Sequence, residues 1–185
     1  MKEISLNILD IAENSVKAGA SLTEILIDET STTLTLTIRD DGCGMNEETV
    51  KSVIDPFYTT RTTRKVGMGL PLLKLACEQT GGHLTVSSKV SSEDDAGHGT
   101  TVQALFHKDH IDCTPLGDVI SSIVTLIQGH PDTDFLFIHK TEVGEVSLDT
   151  RELRAVLDNV PLDTYEVIIW IRDNLAEQYD EFNKN

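Results

Sequence analysis

Asp10, Asn14 and Lys17 stand four and then three residues apart. On a helix that spacing places an acid, an amide and a cation within an arc of about 60° on one face. Such a group could take a proton on Asp10, hold a metal through Asn14 and neutralise phosphate through Lys17, or it could be a plain solvated face. A second group is Asp40-Asp41-Gly42-Cys43-Gly44-Met45, in which two glycines one residue apart let backbone approach a ligand closely or adopt a positive φ. An aspartate fixed at such a turn can accept a hydrogen bond from an exocyclic amine, although D-x-G-x-G also fits a simple turn. The third group is Asp55-Pro56-Phe57-Tyr58-Thr59-Thr60-Arg61-Thr62-Thr63-Arg64-Lys65-Val66-Gly67-Met68-Gly69-Leu70. From Pro56 to Cys77 there is no Asp or Glu, while Arg61, Arg64, Lys65 and Lys74 all fall inside. Hydroxyls and cations thus lead through Gly67 and Gly69 into a helix N-terminus, whose free N–H groups and dipole favour an anion. Gly97-His98-Gly99-Thr100-Thr101 is the fourth group and reads by itself as a turn entering a strand.

The elements around these groups follow from hydrophobic periodicity. Ile4, Ile8, Leu9, Ile11, Ala12 and Val16 share one face and predict a helix over 4–17, with Gly19 as its stop. Residues 24–28 and 33–39 read as strands, the second alternating Leu34, Leu36 and Ile38 against threonines. Asn46 can cap a short helix through Ile54. A helix from Gly69 to about Thr80 ends at Gly81-Gly82, and strands follow at about 83–88 and 100–107. This order predicts an α/β sandwich with helices on one face of a mixed sheet.

A boundary is expected near His107-Lys108-Asp109-His110, dividing the chain into 1–108 and a small α+β appendage, 109–185. In the appendage Leu116, Val119, Ile120, Ile123, Val124 and Ile127 form a helical stripe closed by Gly129. Residues 135–139 and 143–148 look like a hairpin, and helices are expected near 151–157 and 164–178. Asp163 and Glu166 are spaced as a capping box for the last of these. No motif in this segment points to chemistry.

Composition narrows the function classes. The chain has 185 residues, 39% apolar, with 15 Lys and Arg against 31 Asp and Glu, a formal charge of −16. That balance argues against a nucleic-acid polymer as partner, because affinity for a phosphate backbone comes mainly from Lys and Arg. One small anion is not excluded, because a local basic patch can sit on an acidic protein. Residues 109–185 hold 5 basic and 16 acidic side chains, so most of the excess lies there. Cys43, Cys77 and Cys113 form no C-x-x-C pair and read as small hydrophobes in a reducing compartment. The start lacks a signal-peptide stretch, and no segment approaches 18 apolar residues. A soluble, cytoplasmic protein with no membrane contact is expected.

The four groups, in this order and with these elements between them, resemble the GHKL ATPase superfamily. It includes histidine-kinase catalytic domains, anti-sigma-factor serine kinases, MutL, gyrase B and Hsp90. The resemblance covers about residues 1–107. Asp55-Pro56-Phe57-Tyr58-Thr59-Thr60 and Gly67-Met68-Gly69-Leu70 resemble the short-lidded kinases, whereas Asn14-Ser15-Val16-Lys17-Ala18-Gly19-Ala20 is similar to MutL as well.

What the resemblance implies is a Bergerat-type two-layer α/β sandwich that binds ATP with Mg²⁺. Asn14 would hold the metal and Lys17 would contact phosphate. Asp40 would accept the adenine amino group, with Gly42 and Gly44 giving room for the base and Thr100 supporting it through water. Gly67 and Gly69 would let the lid backbone approach the phosphates while Arg61, Arg64 or Lys65 close over them. Met45 and Leu70 complete the nucleotide-contacting set. Asp10 stands where hydrolases and serine kinases of the superfamily carry Glu and histidine kinases usually carry Asn. A carboxylate there suits an attacking group that must lose a proton, such as water or serine.

No helical dimerisation segment precedes residue 4, and His107, His110, His130 and His139 read as structural or exposed, so a complete sensor kinase is not expected. The expected activity is transfer of the ATP γ-phosphate to a partner protein, in a regulatory role. The competing expectation is an ATP-gated switch or slow ATPase that controls a partner without phosphorylating it. A homodimer is a further assembly the sequence allows.

Overall fold

The computed structural model describes residues 3–55, 68–91 and 97–182. The elements in chain order are α1 (Ile4–Lys17), β1 (Leu22–Glu29), β2 (Thr33–Asp40), α2 (Glu47–Ile54), α3 (Gly69–Gln79), β3 (His83–Lys89) and β4 (Gly99–His107). They continue with α4 (Val119–Gly129), β5 (Asp134–Thr141), β6 (Glu145–Asp149), α5 (Thr150–Leu157) and α6 (Tyr165–Phe182). Asn46 caps α2 as expected, its side chain accepting from the Thr49 amide at 2.8 Å. The expected capping box does not form: α6 begins at Tyr165, and it is the Thr164 carbonyl that accepts the first bond, from the Ile168 amide.

The strands make one mixed sheet of order β3-β4-β2-β1-β5-β6, in which β1 and β5 run parallel and every other pair is antiparallel. Its register aligns the apolar positions of all six strands in rows. One row runs Val86, Val102, Ile38, Ile25, Phe137, Leu148, and the next runs Leu84, Ala104, Leu36, Ile27, His139, Val146. Because strand side chains alternate faces, these rows all lie on one side of the sheet. Ile8, Ile11 and Ala12 of α1, Leu73 and Cys77 of α3, Ile123 and Leu126 of α4, and Ile171 and Leu175 of α6 complete the core. The other face carries Thr33, Thr35 and Thr37 of β2 and Thr101 and Gln103 of β4, all partly or fully exposed.

Residues 109–185 are joined to the rest through the sheet itself. Strand β5 pairs with β1 over eight residues, from Leu22 opposite Asp134 to Glu29 opposite Thr141, and α4 packs on α1. No described helix is long and apolar enough to cross a membrane.

One residue in the core rows is polar, and it is buried. His139 of β5 bonds Tyr179 of α6 through Nδ1 at 2.8 Å and Glu29 of β1 through Nε2 at 2.9 Å. Glu29 is in turn paired with Lys108 at 2.6 Å. Burial pushes the His139 imidazole down from its ordinary value of 6.5, against the pull of Glu29. Burial opposes ionisation of Glu29 too, but the bonds from Lys108 and His139 outweigh it and hold that carboxyl below its usual range. Both groups thus bind protons less readily folded than unfolded, so their contributions are complete above their ordinary values and fade as pH falls. His139 acts first, below 6.5. The thermal midpoint should therefore drop between about pH 7 and pH 5, and a His139→Gln variant should flatten that stretch of the curve. Parallel curves for the two proteins would remove His139 from this role.

Candidate functional site

The apolar rows stop, at one end of the sheet, in a polar one. Continuing the register, Ser88, Thr100, Asp40 and Thr23 lie side by side, in phase with the core residues of their own strands. They therefore face the helices, not the open side of the sheet. Asp40 is the hub of this row. Its Oδ2 accepts from the buried Ser15 hydroxyl of α1 at 2.8 Å. Its Oδ1 accepts from the Gly42 amide at 3.0 Å and the Thr100 amide at 3.2 Å. A carboxylate offers about four lone-pair positions, so one on Oδ2 is left.

Asp41, its neighbour, turns the other way. It accepts from the Ser21 amide at 2.8 Å, the Leu22 amide at 2.9 Å and the Ser21 hydroxyl. Burial, the largest single influence, disfavours its charge, but these bonds together outweigh it and hold its carboxyl below the usual range. Asp41 pins the loop to the start of β1; Asp40 faces the site.

The two glycines of the loop are required by close contact. A β-carbon on Gly42 would lie 2.9 Å from the Ala18 Cβ and 3.0 Å from the Asp40 Oδ1. Gly44 has φ +68°, and a β-carbon there would fall 1.9 Å from the Lys89 carbonyl oxygen. The loop is held at further points: the Cys43 amide donates to the Ala18 carbonyl at 2.9 Å, and the Ser91 amide to the Cys43 carbonyl at 2.9 Å. The Met45 amide donates to the Ser88 hydroxyl at 2.8 Å. Ser88 also sits 2.8 Å from the Thr100 hydroxyl and donates to the Gly99 carbonyl at 3.0 Å. His98 Nδ1 meets the Gly42 carbonyl oxygen at 2.7 Å.

On α1, Asp10, Asn14 and Lys17 are all exposed on the shared face their spacing predicts. Lys17 is 71% exposed and lies 3.8 Å from Glu13. Glu13 in turn meets His130, just beyond α4, at 2.7 Å. Asp10 stands at the start of α3: a β-carbon on Gly69 would lie 3.2 Å from the Asp10 Cβ and 3.6 Å from its Oδ2. Helices α2, α4 and α5 begin with a side-chain cap, from Asn46, Asp118 and Asp149. Helix α3 does not: Met68 supplies none, no acid occupies its first turn, and its third residue is Pro71. The Gly69 and Leu70 amides there belong to the uncapped first turn, where an anion is favoured. Arg61, Arg64, Lys65 and Gly67 lie outside the described residues.

Of the residues that the spacing and the resemblance single out, the structure places Asp40, Gly42, Gly44, Met45 and Thr100 in the polar row and its loop, Asp10, Gly69 and Leu70 where α1 meets the start of α3, and Asn14 and Lys17 further along the exposed face of α1. Sequence reasoning misses Ser15, Ser88 and His98. Ser88 carried a usable signal, because it continues the alternation of Leu84 and Val86. Ser15 and His98 are tied to Asp40 and Gly42 across 25 and 56 residues, a relation no local pattern contains.

The family model of histidine kinase-, DNA gyrase B- and HSP90-like ATPases matches residues 2–110. The chain belongs to this ATPase family. ATP is the nucleotide that membership gives to its domain. Its relatives include Sporulation kinase C of Bacillus subtilis, 27% identical over 105 residues, a stretch of 57% of this chain and 23% of that protein. Another is Sensor protein SrrB of Staphylococcus aureus, 32% identical over 106 residues, 55% of this chain and 17% of the relative. The chain therefore spans less than a quarter of the length of these relatives. In architecture the ATPase fold here is similar to the Aquifex aeolicus MutL ATPase domain complexed with ADP. That likeness has a TM-score of 0.52 and 15% identity, and it covers 85% of this chain and 69% of that one.

Ser15→Ala should cost about 1 kcal/mol of stability, the usual worth of one buried hydrogen bond. Titration of the variant with ATP should also show weaker binding, because Asp40 loses the donor that orients it. Unchanged affinity would mean that Ser15 serves folding alone.

Proposed function

We propose that the chain binds Mg-ATP with the adenine against Asp40 and the phosphates at the start of α3, and transfers the γ-phosphate to a partner protein. The observation that carries this reading is the Asp40 carboxylate, fixed by Ser15, Gly42 and Thr100 with one acceptor position left over. That is the arrangement an adenine amino group needs. Ser88 and Thr100 would brace the base side of the pocket, and the loop from Gly42 through Met45 would shape its wall.

Asn14 would hold Mg²⁺. Mg²⁺ keeps several of its waters and takes other ligands from phosphate, so it asks few ligands of the protein. When bound it would neutralise charge on the transferring group. Lys17 would turn from Glu13 to phosphate, joined by the Gly69 and Leu70 amides. Arg61, Arg64, Lys65 and Gly67 would close over the nucleotide. Asp10, beside Gly69, would accept the proton of an attacking hydroxyl. We assign the nucleotide to residues 1–108 and partner contact to 109–185, with a homodimer as a second assembly of the same site.

One observation supports the alternative, an ATP-gated switch with slow hydrolysis. Glu13 holds both Lys17 and His130, so drawing Lys17 to phosphate alters a contact with the 109–185 segment.

Labelled Mg-ATP separates these readings. Asp40→Asn should weaken ATP binding about tenfold or more, about 1.4 kcal/mol; undiminished binding would sink the assignment. Asp10→Asn should keep the affinity and lose the product. Label on a partner hydroxyl or imidazole supports transfer, whereas free phosphate alone supports the switch.

A further inference from the structure

The 109–185 segment carries a groove at the far edge of the sheet from Asp40. It lies around the β6 edge, lined by Leu136 and Ile138 from one face of the sheet, Leu148 from the other, Leu153 of α5 and Trp170 of α6, and its volume is about 270 Å³. That is below the roughly 300–1,000 Å³ of small-molecule sites, and it suits one or two anchoring side chains. Trp170 stands 50% exposed and lines the groove. An aromatic side chain so placed is the commonest anchor of a protein interface.

The rim is acidic on both sides. Glu145, Asp149 and Glu152 border it from β6 and α5. Glu166, Asp173 and Glu177 of α6 line a second, adjoining hollow that shares Trp170 and Asn174 with the groove, at the helical spacing that puts them on one face with Trp170. The cation of β6–α5 beside them, Arg151, is held by Asp149 through a bond of 2.7 Å. Nor can the groove recruit a strand by backbone pairing. The Gln178 side chain accepts from the Ser147 amide at 2.9 Å and donates to the Ser147 carbonyl at 3.0 Å, which blocks the outer edge of β6 there.

We propose that this groove docks a basic segment of another protein, which inserts apolar side chains beside Trp170 while its Lys and Arg meet the acidic rim. Charge complementarity selects the occupant. A second copy would bring the same carboxylates against these, and an anionic lipid surface or nucleic acid would be repelled. The proposal stands apart from nucleotide binding, which involves none of these residues.

Trp170 is the only tryptophan of the chain, so its emission reports on the groove alone. The probe is an amphipathic Leu/Lys peptide of about 18 residues, five helical turns, titrated into the full chain beside a Lys-only peptide and a Leu/Glu peptide. The Leu/Lys peptide should shift Trp170 emission to shorter wavelength and bind tightest. Its affinity should fall at least about tenfold in Asp173→Lys/Glu177→Lys, both exposed positions, and should hold in Asp109→Lys/Asp132→Lys, which makes the same charge change elsewhere. Unshifted emission, equal binding of either other peptide, or equal losses in the two double variants would overturn the proposal. A concentration-dependent shift without peptide would overturn it in favour of a second copy.

Discussion

Asp40 occupies the position at which the inward alternation of β2, through Leu34, Leu36 and Ile38, runs out of apolar residues. A charge on the helix-facing side of a sheet is costly unless it is satisfied. Here the satisfying donors come from three separate parts of the fold: α1 through Ser15, the following loop through Gly42, and β4 through Thr100. One carboxylate therefore fixes how the first helix, the loop and the central strands meet. Without the β2–β4 register that puts Thr100 opposite Asp40, the third donor would be out of reach.

The loop that follows tolerates little freedom for the same reason. Gly42 and Gly44 let it lie against Ala18 and Lys89 at distances no side chain could share, and Ser88, Ser91 and His98 hold it from the other side. The pocket wall is thus preorganised by backbone contacts. The place to which we assign the phosphates is built differently, with Asp10 of α1 beside an uncapped helix start. The free N–H groups of such a helix start favour an anion.

The 109–185 segment is bound to this core by two means of different character. Pairing of β5 with β1 carries the apolar rows across the sheet. The chain of Tyr179, the buried His139, Glu29 and Lys108 then ties α6 to the ends of β1 and β4. The first is general and strong. The second is directional, because each hydrogen bond holds only where the fold brings donor and acceptor together, and the buried His139 has little water to take a partner's place. Between them they put the site and the acidic groove on different strands of one sheet.

Local pattern determined most of the elements and their types, since a period of 3.6 or 2 and a glycine stop are properties of neighbouring residues. It determined that Asp10, Asn14 and Lys17 share a face, and that a turn with two glycines follows β2. It also determined that acids are absent from 56–77. Alternation through Leu34, Leu36 and Ile38 also puts Asp40 and not Asp41 in phase with the core, but it could not say that Thr100 meets the one and Ser21 the other. Nor could it say that β5 joins β1 in parallel, or that a histidine among apolar strand residues pairs with a glutamate 110 positions earlier. Those were decided by the tertiary structure, where burial obliges every polar group to find a partner wherever the fold has brought one.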